Sequence, residues 1–291
     1  MSSNITTSFV EQYSSNVQML SQQMSSKLRS SVDVESVVGK NAFFEQIDST
    51  AAVLRTSRHG DTPQIDTPHS RRRVSLSDYE WADLIDDTDK IRALVDPTSA
   101  YAKNAAAAMN RAMDDVVITA INASASTGVS GATGVALPST QKFATSNQSD
   151  GLTIAKLLAA KKNFDTNDID PSRKRFLVCG PQQVADLLAV TQVTSADFNT
   201  VKALAQGDIS SFLGFEFIMS NRLPFDGTNG DDRLAFAYTE DAIKLAIGKD
   251  VSAQISERAD KSYSTQVYYC MTLGAVRMEE KAVFQIPCHE A

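Results

Sequence analysis

Apolar residues near the start of the chain recur every three or four positions, with serine and glutamine between them. That spacing predicts an amphipathic helix with one apolar face. A short helix of this kind is unstable alone, so its apolar face is expected to dock on the body of the subunit or on another copy. We therefore interpret residues 1–45 as an N-terminal arm. The apolar positions are Phe9, Tyr13, Val17, Leu20, Met24 and Leu28.

Two strand-like stretches, residues 44–53 and 71–81, flank a segment punctuated by prolines and histidines. A lone hairpin is marginally stable in water, so this extended loop must lie on something else. Two interpretations stay open: the loop reaches a neighbouring copy, or it folds back on its own domain. Within the second stretch, apolar and polar positions alternate as in a strand with one exposed side. Its apolar positions are Val74, Leu76, Tyr79 and Trp81.

A long helix is predicted over residues 98–121, which contain neither glycine nor proline and include a run of alanines. Asp96 is a suitable N-cap, and Pro97 fits the first helical position, where its missing N–H costs nothing. The glycine-rich residues 128–134 that follow lack the ending of a phosphate-binding loop, and they predict a flexible connection or projecting loop. The predicted small-residue stripe of the helix consists of Tyr101, Ala105, Ala108, Ala112 and Val116.

Helical and strand-like patterns are mixed from residue 152 onward. Segregated helices and antiparallel strands, without repeated βαβ units, favour the α+β class. The predicted helices cover residues 152–164, 181–190 and 197–205. The predicted strands are centred on residues 175–179, 215–219, 234–238, 251–255, 267–273 and 282–286.

Composition excludes several functional classes. The 291 residues carry a net charge of −7, so the chain lacks the clustered positive charge that duplex DNA or anionic lipid requires. Its three widely spaced cysteines indicate reduced thiols rather than a disulfide framework or zinc site. No signal peptide or membrane-spanning run is evident, which predicts a soluble protein made in the cytoplasm.

Candidate chemistry is sparse. Cys179, between a strand and a helix start, resembles a nucleophile turn, but the sequence places no base beside it, and a buried structural cysteine is favoured. His59, Asp61, Asp66 and His69 are spread by intervening prolines, so no metal site is predicted. The residues therefore predict no cofactor and no catalytic group.

Charged clusters flank the second strand-like stretch. The arginine triplet at residues 71–73 is interpreted as an intersubunit ion-pairing element rather than a nucleic-acid contact. The acidic residues that follow Trp81 lack the pattern of a calcium loop. They are interpreted as a solvated face or as the counter-surface for the triplet of a neighbouring copy. These acidic residues are Asp83, Asp86, Asp87 and Asp89.

The order of these parts, together with three local patterns, resembles the major capsid protein of tailed double-stranded DNA bacteriophages, of podovirus type. Encapsulins and the capsid floor of herpesviruses share that fold. The patterns are Trp81-Ala-Asp-Leu-Ile-Asp-Asp87, Phe176-Leu-Val-Cys-Gly-Pro-Gln-Gln183 and Leu273-Gly-Ala-Val-Arg-Met-Glu-Glu-Lys-Ala-Val-Phe-Gln-Ile286.

The resemblance implies a division of the α+β chain into the parts of the tailed-phage major capsid fold. A peripheral domain would contain the long helix as its spine, and an axial domain would lie at the centre of a hexamer or pentamer. The implied parts are an N-terminal arm at 1–45, an extended two-stranded loop at 46–95, the peripheral domain at 96–150, the axial domain at 151–245 and C-terminal strands at 246–291.

The resemblance also implies a non-enzymatic shell subunit that self-assembles as hexamers and pentamers into an icosahedral head enclosing double-stranded DNA, without sequence-specific or membrane binding. Assembly would take place in the host cytoplasm and the product would be the virion capsid. A separate scaffolding protein, a portal and possibly a decoration protein are implied partners. Residues 60–77 contain no lysine, so covalent cross-linking through the loop is not expected.

Two alternatives remain at this stage: an encapsulin-type compartment holding cargo protein, and a cysteine-dependent hydrolase built on Cys179. For the shell subunit, the residues expected to contact neighbouring copies belong to the arm, the loop and the acidic segment. They are Phe9, Tyr13, Leu20, Arg71, Arg72, Arg73, Tyr79, Trp81, Asp86 and Asp87.

Overall fold

The computed structural model describes residues 20–86, 98–143, 150–189, 211–226 and 232–290. Its α-helices are Thr98–Asn122 (α1), Ile154–Thr166 (α2) and Pro181–Ala189 (α3). Its strands are Asp33–Ser36 (β1), Asn41–Ile47 (β2), His69–Ser75 (β3), Ser77–Ile85 (β4), Ala125–Thr127 (β5), Thr133–Val135 (β6), Arg175–Cys179 (β7), Ser211–Phe212 (β8), Phe215–Met219 (β9), Asp232–Thr239 (β10), Ile243–Arg258 (β11), Ser264–Arg277 (β12) and Val283–His289 (β13).

These bounds confirm the predicted helices at 98–121, 152–164 and 181–190 and each of the six predicted strand centres from residue 175 onward. The predicted helix at 197–205, together with the capping residues Asp96 and Pro97, lies outside the described residues.

A five-stranded sheet in the order β13-β10-β7-β9-β8 supports the larger core. Strands β7 and β10 are buried at every position, which explains why each contains a continuous apolar stretch, at residues 176–179 and 234–238, rather than an alternating pattern. Helices α2 and α3 contribute Leu157, Phe164 and Leu187 to the same core. Strands β7 and β9 are parallel, so the expectation of antiparallel strands alone is wrong for this pair.

A second sheet has the order β2-β3-β5-β6. Strands β5 and β6 form a hairpin in which Thr127 pairs with Thr133, and Gly128 and Gly131 have positive φ angles of 91° and 66° in its turn. Glycine adopts this left-handed conformation without steric cost. Residues 128–134, predicted as a flexible connection or projecting loop, form the turn and the start of the second strand of this hairpin, and its first strand pairs with β3.

The third sheet, in the order β1-β11-β12-β4, corrects the single strand predicted over residues 71–81. The chain leaves one sheet at Ser75 and enters another at Ser77. Val74 lies in the buried cluster, whereas the less exposed positions on β4 are odd-numbered and include Tyr79 and Trp81. Side chains along one strand alternate between its two faces, so buried positions in a single strand would all be even-numbered or all odd-numbered. The change from the even-numbered Val74 to odd-numbered positions on β4 therefore marks Leu76 as the point where the chain changes sheets.

Helix α1 has the predicted length but buries a different face. The predicted stripe has only Ala105 fully buried, and Tyr101 is exposed. The face that is buried is the one with larger side chains. Burying methionine, valine and isoleucine removes more apolar surface from water than burying alanine does, so this face gains more from burial. Its apolar members are Ala105, Ala107, Met109, Met113, Val117, Ile118 and Ile121.

The helix predicted for the N-terminal arm does not extend over the described part of that arm. Residues 20–28 contain no helix, and only a short 3-10 turn follows at Arg29–Ser31. Leu28 is fully buried, but Leu20 and Met24 are exposed, so the three do not share one buried face. The remaining apolar positions of the predicted helix lie before residue 20, outside the described residues.

The chain divides into two compact units. One comprises the residues up to Ser26 together with Asp78–Ala112 and Lys249–Thr272, and the other comprises Lys27–Ser77, Met113–Gly248 and Leu273–Ala291. The five-part division predicted from the sequence stays a prediction.

Candidate subunit-contact surfaces

Strands β2 and β3 form a ribbon that carries a long exposed tip. The two strands pair from Asn41 with Ser75 to Ile47 with His69. Beyond them, residues 49–68 form no helix or strand, and nearly all are exposed. Loops of this length without regular structure are uncommon in compact domains and usually have a function. We call residues 48–68 the tip loop.

The tip loop and the adjoining end of β2 present apolar side chains to water. Leu54 is 84% exposed and Ile47 is 67% exposed, and Val53 and Ile65 are also exposed. Large exposed apolar side chains that share one segment make it a candidate interaction surface. A single copy of the chain therefore leaves uncovered a surface that another protein surface could bury.

The three arginines of β3 have different surroundings. Arg72 is buried, and its Nη2 donates to both carboxylate oxygens of Glu280, at 2.8 and 2.7 Å. Its Nε donates to the Met278 carbonyl at 3.1 Å. Arg73 donates to the Ser130 carbonyl at 3.2 Å. Arg72 is thus engaged within its own subunit, and a contact between Arg72 and a neighbouring copy stays a prediction.

Arg71 is the member of the triplet that lies beside open space. Its guanidinium lies over the Phe43 ring, 5.6 Å from the ring centroid. It also lines a surface groove of about 370 Å³ together with Glu45, His69 and Thr127. A contact between Arg71 and a neighbouring copy stays a prediction, as it does for Arg73.

The predicted contact residues of β4 and of the acidic segment are partly described. Tyr79 and Trp81 are half-buried, and Glu80 between them is exposed. Asp86 follows the end of β4 and is half-buried, whereas Asp87 lies outside the described residues. Contacts of these residues with a neighbouring copy stay a prediction.

The predicted arm contacts Phe9 and Tyr13 lie outside the described residues. Leu20 is 86% exposed. Its neighbours are held on α1 by polar groups: the Gln22 amide donates to Asn104 Oδ1 at 3.0 Å and accepts from Arg111 at 2.7 Å. Apolar periodicity gave no sign of this attachment. The signal that could have found it is the amide-rich composition of the arm beside a helix that carries Asn104 and Arg111.

Further along the arm, a buried carboxylate anchors the backbone. Asp114 is fully buried and accepts the backbone N–H groups of Lys27 and Leu28, each within 3.2 Å. The Ser31 hydroxyl and the buried Tyr238 hydroxyl lie 2.6 Å apart. Hydrogen bonds to a charged acceptor are stronger than neutral ones, so this part of the arm belongs to the folded body.

The turn between β11 and β12 presents an aromatic side chain that sequence reasoning did not identify. Ser262 and Tyr263 both have positive φ angles, 52° and 58°, and Tyr263 is 63% exposed. These two residues follow a short 3-10 turn at Ala259–Lys261, and the left-handed region that they occupy is one that residues other than glycine, asparagine and aspartate rarely adopt. The turn therefore holds an unfavourable backbone conformation while it displays a tyrosine to solvent.

Cys179 is unsuited to nucleophilic chemistry. The side chain is fully buried, and burial raises the pKa of its thiol to about 12. The thiolate, not the thiol, is the nucleophile, so Cys179 stays protonated and unreactive at neutral pH. This finding argues against the alternative of a hydrolase built on Cys179.

The described part of the chain offers neither a metal site nor a membrane span. Within it, no group of three His, Cys, Asp or Glu side chains is placed to hold a metal ion. Among the helices described, none is both long and apolar enough to cross a bilayer. His59 and Asp61 lie in the exposed tip loop, and His69 begins β3.

A family model described as phage capsid protein matches residues 5–290. The chain belongs to the phage capsid protein family. The comparison of this capsid protein with curated protein sequences found no match.

Solved capsid structures share its fold. The capsid of the cyanophage P-SCSP1u matches with a TM-score of 0.76 at 15% identity, covering 100% of the capsid protein and 96% of that chain. A chain from Mycobacterium phage Che8 matches with a TM-score of 0.70 at 16% identity, covering 96% and 97%. The capsid of Ralstonia phage GP4 matches with a TM-score of 0.71 at 10% identity, covering 98% and 96%.

The family and the fold confirm the predicted class: the capsid protein is a structural shell subunit of a phage head and is located in the virion capsid. The shell is built from copies of this subunit. The family favours the phage head over the encapsulin-type compartment. The podovirus assignment stays a prediction.

Proposed function

We propose that this capsid protein closes as hexamers and pentamers into an icosahedral head around double-stranded DNA, that it has no enzymatic activity, and that it assembles in the host cytoplasm. A separate scaffolding protein, a portal and possibly a decoration protein are proposed partners. The observation that carries the proposal is the tip loop, whose apolar side chains remain in water in a single copy.

The contacts within such a shell are heterologous, because each copy uses different patches toward different neighbours, and closure depends on the contact angle. In the proposal, the tip loop, the arm before residue 20 and the turn at Tyr263 each meet a different neighbour. Linking several modest contacts raises the stability of the assembly far above that of any one contact. The exposed Leu54 and Tyr263 side chains support separate contacts of this kind.

The charge of the chain supports enclosure of DNA without specific binding. At a net charge of −7, the subunit gains little from release of counterions on binding phosphate. Of the arginine triplet, Arg72 is already paired with Glu280. In the proposal, the inner surface of the head is acidic, so it encloses the DNA without binding the phosphates tightly. A strongly positive inner surface in the assembled head would contradict that part.

Replacing Val53, Leu54 and Ile65 together by serine is expected to abolish particle formation while leaving the subunit folded. Each side chain contributes about 1–2 kcal/mol when a neighbour buries it, so losing three lowers the association constant far more than tenfold. Negative-stain micrographs and sedimentation, under conditions in which the unmodified chain forms particles, measure the effect. Circular dichroism and urea unfolding check the fold.

The matched control is Leu158→Ser, which makes the same kind of change at an exposed position of α2. This control is expected to assemble. If the triple variant forms particles as readily as the control does, the tip loop is not an assembly contact.

Arg71→Glu is expected to impair assembly without unfolding the subunit, because Arg71 lines an open groove and its contacts do not support the core. If its partner is the acidic segment of a neighbouring copy, adding Asp86→Arg to the same chain restores the charge pairing and recovers particles. Electron microscopy of the single and double variants decides. If the double variant assembles no better than the single one, Arg71 does not pair with Asp86 of a neighbouring copy.

A further inference from the structure

The sheet β1-β11-β12-β4 carries a cluster of nucleophilic and charged side chains that shell assembly does not explain. On β12, Cys270 Sγ lies 3.0 Å from the Nζ of Lys249 and 3.1 Å from the Oγ of Ser252. Lys249 and Ser252 belong to β11, the neighbouring strand. Cys270 is half-buried and Lys249 is exposed, so solvent reaches the pair.

The surroundings of Cys270 favour its thiolate. Hydrogen bonds from Ser252 and from the Lys249 ammonium lower the pKa of Cys270, and Tyr268 contributes in the same direction. The Tyr268 hydroxyl donates to Glu80 at 3.0 Å, and Glu80 raises the pKa of Tyr268 to about 12, so the phenol keeps its proton. A solvent-accessible thiolate beside an ammonium group is the type of cysteine that oxidants attack first.

The other two cysteines provide an internal contrast. Cys179 and Cys288 are both fully buried, and burial raises the pKa of each thiol to about 12. Neither meets the two conditions for reaction, which are access to solvent and a stabilised thiolate. The difference among the three cysteines lies in their surroundings, so chemistry at Cys270 can be assigned to its contacts.

We propose that Lys249 and Cys270 form a peroxide-responsive covalent pair that ties β11 to β12 through a sulfur–nitrogen bond. In the first step the Cys270 thiolate attacks hydrogen peroxide, the O–O bond breaks, and the products are a sulfenic acid and hydroxide. Sulfur loses two electrons, and peroxide oxygen gains them. In the second step the Lys249 nitrogen attacks that sulfur, the S–OH bond breaks, and hydroxide leaves.

The protons balance across both steps. The Lys249 ammonium gives up two protons: one combines with the hydroxide of the first step and the other with the hydroxide that leaves the sulfur. The sum is one thiolate, one ammonium and one peroxide giving one sulfenamide and two waters. Sulfenic acids condense with a backbone nitrogen to form a sulfenamide, and here the Lys249 nitrogen takes that place, 3.0 Å from the sulfur. A small thiol reverses the bond by forming a mixed disulfide and releasing the amine.

The bond would change the mechanical behaviour of the longest ribbon of the fold. Strands β11 and β12 span 16 and 14 residues, and the outer part of β11 is largely exposed. A covalent tie between strands restricts the unfolded chain as a disulfide does. Oxidised protein is therefore expected to show slower hydrogen exchange along both strands than reduced protein.

The experiment treats the full-length chain with hydrogen peroxide and follows its mass and peptides. The expected product is lighter than the starting protein by two hydrogen atoms and yields one peptide in which Lys249 is joined to Cys270, resistant to trypsin at that lysine. Dithiothreitol restores the original mass. Cys179 and Cys288 stay unmodified in the same sample.

Two variants separate activation of the thiol from formation of the bond. Lys249→Arg keeps a positive charge beside the sulfur but lacks a reactive amine, so oxidation stops at a sulfenic acid that dimedone traps. Cys270→Ser gives neither product. If dimedone traps Cys270 equally in the unmodified chain and in Lys249→Arg, with no linked peptide, the covalent pair is wrong. Oxidation of Cys270 no faster than that of Cys179 and Cys288 overturns the proposal as well.

Discussion

Replacing Arg277 by methionine is expected to lower the free energy of unfolding by about 3–5 kcal/mol, as removal of a buried charged partner does. Arg277 is fully buried. Its Nη1 donates to the carbonyls of Ile121 and Ala123 at 2.7 and 2.8 Å, and its Nη2 donates to Val135 at 2.8 Å. The first two carbonyls lie at the end of α1, where no intrahelical donor remains.

The loss is large because the substitution leaves buried acceptors without donors. An unsatisfied buried carbonyl costs about 1–3 kcal/mol, and Arg277 serves three. Its Nε also lies 3.7 Å from Glu280, the carboxylate that pairs with Arg72. Methionine fills a similar volume without restoring any of these bonds. Urea unfolding followed by circular dichroism measures the change in midpoint.

The matched control is Arg222→Met. Arg222 pairs with Asp115, but both side chains are substantially exposed, and surface ion pairs contribute about 0–1 kcal/mol. The same substitution is therefore expected to shift the unfolding midpoint little. Equal losses at the two arginines would show that Arg277 does not act through its buried carbonyls.

Gly274→Ala is expected to destabilise the subunit by about 3 kcal/mol, at the upper end of the usual cost of overpacking. A Cβ atom at Gly274 would lie 2.4 Å from the backbone oxygen of Ser75 and 3.0 Å from Cγ2 of Val74. The Ser75 carbonyl lies where the chain changes sheets, and the neighbouring Leu76 N–H donates to Lys40 at 3.0 Å. Backbone tied in this way has little room to move.

Gly134→Ala in β6 is the comparison, because the nearest atom to its added Cβ is 3.6 Å away, an ordinary contact. Where the backbone accepts alanine, this change is neutral or stabilises by up to about 1 kcal/mol. Thermal unfolding of both variants checks the contrast. Similar stabilities would mean that the close approach at Gly274 relaxes without cost.

Sequence reasoning succeeded where burial is local and periodic. The helix at Thr98–Asn122 and the strand at Arg175–Cys179 follow from residues within the segments themselves, because propensity and apolar period act over a few positions. It failed where the outcome depends on pairing. The glycine-rich residues 128–134 were predicted as a connection, and nothing in that stretch reveals that they turn the chain between β5 and β6 or that β5 pairs with β3.

The candidate contact residues divide in the same way. The tip loop could be predicted in part, as a long connection between two strands that cannot form their own core, although residues 48–53 were predicted as strand and β2 ends at Ile47. The sequence could not show which arginine of β3 is paired within its own subunit and which lies beside a groove. Three adjacent arginines look alike, and only the tertiary structure pairs Arg72 with Glu280 while leaving Arg71 beside a groove.

The amino-acid sequence by itself determined the α+β class, the long helix, the projecting loop and the resemblance to phage capsid proteins, because these depend on local pattern and on the order of parts. Only the tertiary structure decided which face of the helix is buried, where the chain changes sheets at Leu76, and which charged groups meet. Those outcomes join residues far apart in the chain, such as Arg277 with Ile121. Their energies depend on distances and burial that short-range sequence patterns do not contain.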